Sequence, residues 1–179
     1  MASQGPLNPT AASGGTGWSG VTGIEANTSS ALSPGITAGS AGTTNNIQGT
    51  TFGFSIPAGQ IIKGISVTIS AEYNNGAGDN ANLANIQLLK AGSAAGSSKT
   101  GATVTTSLAD YTSGSNSDLW GTTWSVSDIN ASGFGVQFGF FINNADGSGT
   151  AKAQTRNVRI TVTYQSPVSR AVCSQTIGW

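Results

Sequence analysis

Thr51-Phe-Gly-Phe-Ser-Ile-Pro-Ala-Gly-Gln-Ile-Ile-Lys-Gly-Ile-Ser-Val-Thr-Ile-Ser-Ala-Glu-Tyr73 is the stretch on which the fold turns. It holds two hydrophobic alternations separated by a breaker. Phe52, Phe54 and Ile56 alternate with Gly53 and Ser55, which predicts a strand that stops at Pro57-Ala-Gly59. A second strand is predicted from Ile61 to Tyr73, with Ile65, Val67 and Ile69 on one face and Ser66, Thr68 and Ser70 on the other. Successive side chains of a strand point to opposite faces, so this strand has one apolar face and one hydroxyl-bearing face. An antiparallel sheet packed on one side only has that pattern.

The same period recurs toward the C-terminus. After a loop at Asn74-Asn-Gly-Ala-Gly-Asp79, Ile86-Gln-Leu-Leu-Lys90 reads as a strand closed by Ala91-Gly92. Another segment starts at Gly96 to Lys99, and Ala102 to Leu108 alternates through Val104. Tyr111 leads into the loop Gly114-Ser-Asn-Ser-Asp118, and Leu119 to Trp124 holds two tryptophans. Ser127-Asp-Ile-Asn130 reads as a single helical turn with Ser125 or Ser127 as its N-cap. Phe134, Val136, Phe138 and Phe140 share one face of the most hydrophobic strand, expected at the centre of a sheet. Asn143 to Gly149 is a polar loop. Val158, Ile160, Val162 and Tyr164 then alternate with Arg159, Thr161 and Thr163 in a last strand that Pro167 ends.

Roughly seven to nine short strands without a sustained helical period predict an all-β, antiparallel β-sandwich, in a jelly-roll-like order, with a closed barrel as the alternative. The ends read differently. Residues 1–17 carry Pro6, Pro9, Gly14, Gly15 and Gly17 and no apolar period, which predicts an extended N-terminal arm without a core of its own. The sandwich domain is expected over residues 18–164, with Ala31-Leu-Ser-Pro-Gly-Ile36 as a turn and short edge strand. Residues 165–179 form a C-terminal tail whose end, Ile177-Gly-Trp179, reads as an anchor.

Composition narrows the chemistry. Of the 179 residues 8 % are charged, against roughly 25 % in an average soluble domain, and 26 are glycine. Gly, Ser, Thr and Asn suit tight turns and weaken helices. With seven basic and seven acidic residues the formal charge is zero, and the one basic concentration is Lys152, Arg156, Arg159 and Arg170. Binding a phosphate backbone by counterion release needs clustered cations, so no nucleic-acid partner is expected. Weak charge repulsion favours self-association, which points to a homo-oligomer or a part of an assembly. No stretch approaches the ~20 apolar residues of a membrane span, and the N-terminus lacks the features of a secretory signal. No membrane partner is expected, and synthesis and folding are expected in a cytoplasm.

Histidine is absent, which removes the commonest general base near neutral pH and the commonest zinc ligand. The one cysteine, Cys173, can form no intrachain disulfide; in an exposed tail it is a candidate for an intersubunit bridge, alongside Ile177 and Trp179 as intersubunit contacts. Seven carboxylates are present: Glu25, Glu72, Asp79, Asp110, Asp118, Asp128 and Asp146. A glycosidase-type pair could be drawn from them, but most sit beside Gly, Ser or Asn, where acids cap turns. Asp79 and Asp146 lie in oxygen-rich loops that could ligate a hard cation, each with a single carboxylate and neither with the spacing of a known cage. No cofactor, metal or catalytic residue is therefore expected, and the chain reads as a non-enzyme. Trp120, Trp124 and Tyr111, if exposed, are the candidates for stacking on a glycan or touching a partner; as core aromatics they would bury area instead.

Four pieces of sequence resemble a known family. They are Phe52-Gly-Phe-Ser-Ile-Pro-Ala-Gly-Gln-Ile-Ile-Lys-Gly-Ile-Ser-Val-Thr-Ile69, Leu88-Leu-Lys-Ala-Gly-Ser-Ala-Ala-Gly-Ser-Ser-Lys99, Asp118-Leu-Trp-Gly-Thr-Thr-Trp-Ser-Val-Ser-Asp-Ile-Asn-Ala-Ser-Gly-Phe-Gly-Val136 and Val158-Arg-Ile-Thr-Val-Thr-Tyr164. In this order they resemble the small β-sandwich structural proteins of tailed bacteriophage and prophage virions, over about residues 51–164. The resemblance implies a virion part in the head, neck or tail, with no catalytic residues to carry over. The expected function is thus a head decoration or neck/collar component, made in the host cytoplasm and packed on capsid, connector or tail subunits. The alternative is an adhesive tail-fibre or baseplate module that binds a host-surface glycan.

Overall fold

The computed structural model describes residues 1–26, 29–74, 79–145 and 149–167. In chain order the strands are β1 (Ala2–Leu7), β2 (Ala11–Gly14), β3 (Ala31–Leu32), β4 (Ile36–Thr37), β5 (Ser40–Thr43), β6 (Ile47–Thr50), β7 (Ile61–Asn74), β8 (Asn80–Lys90), β9 (Ser93–Lys99), β10 (Thr103–Val104), β11 (Ala109–Gly114), β12 (Gly135–Asn144) and β13 (Thr150–Gln165). A 3-10 turn covers Val21–Ile24, and one short helix, α1, covers Val126–Asn130.

Two antiparallel sheets pack face to face. The first runs β1-β13-β7-β11, with β3 and β4 also on β13; the second runs β10-β8-β12-β6-β2, with β5 on β12 and β9 on β8. The first strand therefore lies beside the last, β6 lies beside β12, and the chain alternates between sheets from β6 through β7 to β8 and from β11 through β12 to β13. This rolled-up arrangement is a jelly-roll order.

The alternation read from the sequence sets the core. Ile65, Val67 and Ile69 of β7, Val136, Phe138, Phe140 and Ile142 of β12, and Val158, Ile160 and Val162 of β13 are all buried in one cluster. Burying a side chain of this size contributes roughly 1.5–3 kcal/mol. The strand expected to be central, β12, has β8 on one side and β5 and β6 on the other.

Three expectations are corrected. Residues 1–17 are extended but are not a free arm. β1 pairs with β13 (Ser3 with Thr163, Gln4 with Val162), β2 pairs with β6 (Ser13 with Gln48), and Leu7 packs on the core. The reason is that β13 is 16 residues long and its outer edge would otherwise expose unpaired N–H and C=O groups. β1, β3 and β4 cover that edge piecewise, at Ile160–Tyr164, Gln154–Thr155 and Thr150–Ala151. At the other end, Gln165 still pairs with Ile61, so the sheet extends past the expected boundary at residue 164. Cys173, Ile177 and Trp179 lie outside the described residues.

The third correction concerns Phe52–Ile56. Its alternation is real, with Phe52, Phe54 and Ile56 buried and Gly53 and Ser55 exposed. It joins no strand ladder, because side chains take its backbone groups. Ser55 N–H donates to Gln4 Oε1 (3.0 Å) and Ile56 N–H donates to Asn130 Oδ1 (2.9 Å), while Asn130 Nδ2 donates to Ile56 O (2.9 Å).

Candidate functional site

The segment from Ser115 to Phe134 crosses from β11 to β12 and carries two of the sequence candidates. Trp120 has φ 59°, a backbone angle uncommon outside glycine, which turns its indole inward. There the indole is fully buried and its N–H donates to Ile65 O at 2.8 Å. Gly114 (φ +79°) makes the room: a Cβ there would lie 2.8 Å from Trp120 Nε1 and 2.3 Å from Ile65 O. Trp120 N–H donates to Asp118 Oδ1 (2.7 Å), and Ser97 N–H donates to Trp120 O (2.6 Å), which covers the edge of β9.

Trp124 is buried one turn further on. Its N–H donates to Leu119 O at 3.0 Å, and its ring meets Phe134 edge-on at 5.5 Å. Each tryptophan carries a lysine from the β8–β9 hairpin on its ring. Lys99 Nζ lies 4.8 Å from the Trp120 centroid and 2.8 Å from Asp118; Lys90 Nζ lies 5.1 Å from the Trp124 centroid and 2.9 Å from Asp128. Cations attract aromatic faces, so each device ties hairpin to crossover through one cation, one ring and one carboxylate. Asp118 is held below the ordinary carboxylate range by the hydrogen bond from Lys99 and then by the Trp120 N–H. For Asp128, burial works upward, but bonds from Ser125 and Lys90 outweigh it and the net direction is down. Asp128 also completes a capping box with Ser125 at the start of α1, so the cap is Ser125 rather than Ser127.

Tyr111, half-buried on β11, accepts the Thr105 N–H on its hydroxyl at 2.8 Å and fastens the β10–β11 turn. Trp120 and Trp124 therefore present no stacking platform, while Tyr111 stays partly exposed. The two indole rings are spent on the core and on the strand connections.

The outer face of the first sheet is hydroxyl-bearing, with Thr68 and Thr112 bonded across β7 and β11 at 3.0 Å. Two ion pairs cross its strands: Arg156 with Glu72 at 2.9 Å, and Arg159 with Asp110. Asp110 is held below its ordinary range first by the Ser70 hydroxyl and then by Arg159. Thus Glu72, Asp110, Asp118 and Asp128 each sit on a cation of the chain rather than on one another. Asp79 accepts the Ala145 N–H at 2.7 Å, which joins the roots of the two oxygen-rich loops; Asp146 itself lies outside the described residues. Among the described residues no group of three or more His, Cys, Asp or Glu could hold a metal ion, and no helix is long and apolar enough to cross a membrane.

The outer face of the second sheet carries a feature that the sequence reading missed. Gln137 of β12 stands in register with Gln48 of β6 and Gln87 of β8, and Ser13 of β2 stands beside Gln48. Gln48 Nε2 donates to Gln137 Oε1 (3.2 Å), Gln137 Nε2 to Gln87 Oε1 (3.4 Å), and Gln87 Nε2 to Gly96 O (2.7 Å). Further along β12, Phe141 stands between Thr43 and Asn82 on the same face, 38 % exposed. A phenylalanine at a solvent-facing alternation position was the available signal; the shared register of three distant glutamines had none.

No family model matches the chain, and no curated protein does. Among solved structures it is similar to the Clostridium thermocellum N-terminal endo-1,4-beta-D-xylanase 10B, whose CBM22-1–GH10 modules were crystallised with xylohexaose. The identity is 12 %, the TM-score 0.43, and the match covers 93 % of this chain and 28 % of that one. The chain thus spans less than a third of that protein's length.

Proposed function

We propose that this chain is a non-enzymatic structural part of a tailed bacteriophage particle, a head decoration or neck/collar component, that works by packing on neighbouring subunits. The observation that carries the reading is the convergence of the four resembling sequence pieces on one knot. Trp120 of the third piece bonds Ile65 of the first; Lys90 and Lys99 of the second lie on Trp124 and Trp120 of the third; Ile65 of the first stands opposite Val162 of the fourth. That the four pieces meet in one folded framework is what supports the reading.

The use made of ionic groups supports the same reading. Carboxylates tied singly to lysines and arginines act as cross-links, whereas a hydrolytic pair needs two acids facing one substrate bond. The test is to locate the chain in purified particles by electron microscopy and to count its copies by quantitative mass spectrometry. A fixed, symmetry-related copy number at the head or neck is expected. Absence from particles, or a turnover abolished by acid-to-amide changes in this chain, would overturn the reading.

A further inference from the structure

We infer that the outer face of the second sheet is a binding site for a neutral polysaccharide, with Gln48, Gln137, Gln87 and Phe141 as its principal contacts. The inference does not depend on where in a particle the chain sits. β2, β5, β6 and β12 contain no Asp, Glu, Lys or Arg, and the lone charge on β8, Lys90, is engaged by Asp128 and Thr123 O. Lys99 of β9 is likewise held by Asp118, so a ligand lying along Gln48, Gln137, Gln87 and Phe141 meets no unpaired ion on the strands of this sheet, and a charged polymer gains nothing there.

The hydrogen-bonding groups are specific in kind. Neighbouring strands lie about 4.8 Å apart, so three in-register glutamines form a row of carboxamides at that spacing. Each carboxamide has two N–H donors and two acceptor lone pairs. The lateral chain from Gln48 to Gly96 takes one donor from each of the three, leaving an N–H and at least one lone pair on every member. Asn80 and Asn143, paired on the same face beyond Phe141, add two more carboxamides.

These leftover groups separate a glycan from a protein partner. Covering a carboxamide row with a packed apolar protein surface leaves each unmatched donor or acceptor desolvated and unpaired, and one partly exposed phenylalanine offsets little of that. Sugar hydroxyls both donate and accept, and adjacent hydroxyls match the donor–acceptor pair of a carboxamide. The ring face of a sugar carries C–H groups that need an apolar support, which Phe141 supplies. Gln137 and Phe141 are four residues apart on β12, about 13 Å, so a chain of several sugars is required to reach both.

The test uses the full chain in affinity electrophoresis through gels cast with neutral soluble polysaccharides (xylan, glucomannan, galactomannan) and, as a charged comparison, polygalacturonate. Retardation in at least one neutral gel and none in polygalacturonate is expected. Phe141→Ala and Gln137→Ala should each weaken the apparent affinity about tenfold or more, whereas Thr112→Ala on the opposite sheet should leave it unchanged. Gln137→Glu keeps the side-chain size and guards against a folding artefact, since all variants are first matched for circular dichroism. Absence of retardation in every neutral gel overturns the inference. So does retardation that survives Phe141→Ala and Gln137→Ala together, or co-sedimentation with particles that Phe141→Ala abolishes while no glycan binds. The particle location of the chain is read in a separate experiment, so the two proposals can fail independently.

Discussion

Asn130 of α1 holds Ile56 as a neighbouring strand would, accepting its N–H and donating to its C=O, both at 2.9 Å. With Gln4 of β1, which accepts the Ser55 N–H, it replaces a strand ladder for a segment that has the alternation of a strand and pairs with none.

That relationship predicts the cost of removing it. Asn130→Ala leaves both backbone groups of Ile56 without their partner and should destabilise the fold by about 1–3 kcal/mol, read by urea unfolding at constant m-value. Asn130→Asp keeps the acceptor and loses the donor, so it should fall between wild type and alanine. Equal stability of all three proteins would show that the pairing contributes nothing.

Lys99 and Asp118 form the second measurable pair. Both are partly exposed, so a coupling of about 0.5–1 kcal/mol is expected from a double-mutant cycle with Lys99→Met and Asp118→Asn. Methionine keeps the aliphatic stem on Trp120, which isolates the charge. A coupling indistinguishable from zero would reduce the lysine to a hydrophobic cover.

Acid should unfold the protein through the same groups. Asp110, Asp118 and Asp128 have folded pKa values depressed below 3.8. Their contribution is therefore fully present above the unfolded carboxylate value of about 3.9 and is lost as pH falls through the lower folded values. A melting temperature level above about pH 5 and dropping below about pH 4 is expected. The gap between wild type and Asp118→Asn should close as the pH falls; a gap that widens would contradict the assignment.

The two ends of the chain should behave differently on truncation. Deleting residues 1–7 removes β1 and exposes the Ile160–Tyr164 edge of β13, so a lower melting temperature and more aggregation are expected. Deleting residues 168–179 leaves every described strand in place, so assembly should weaken while the melting temperature holds. A larger thermal loss from the C-terminal deletion would reverse this division. Side-by-side differential scanning calorimetry and light scattering decide it.

How much was legible follows from the range of each interaction. The period-two runs Ile65-Val67-Ile69 and Val136-Phe138-Phe140 declared their buried faces because alternation is local, and the capped turn was legible to within Ser125 or Ser127 because a cap and its partner lie three residues apart; the structure selects Ser125. The N-terminal residues were misread because a short polar edge strand has no pattern of its own; its place is set by the open edge of β13, more than 150 residues later. The core role weighed for Trp120 and Trp124 holds, since both are buried, but the contacts that bury them were not legible. Nothing local says that Lys90 and Lys99 will cover Trp124 and Trp120, or that Gly114 will leave room for an indole.

The amino-acid sequence by itself determined that this chain makes half-buried antiparallel strands, that it has little charge to spend and that it lacks histidine. Those properties follow from residue type and from spacing over a few positions. Only the tertiary structure decided which tryptophans are hidden, which strand closes the edge of β13, and that Gln48, Gln87 and Gln137 stand in one row. Each of these depends on register between distant segments, and register is fixed when the two sheets bury their apolar faces against each other.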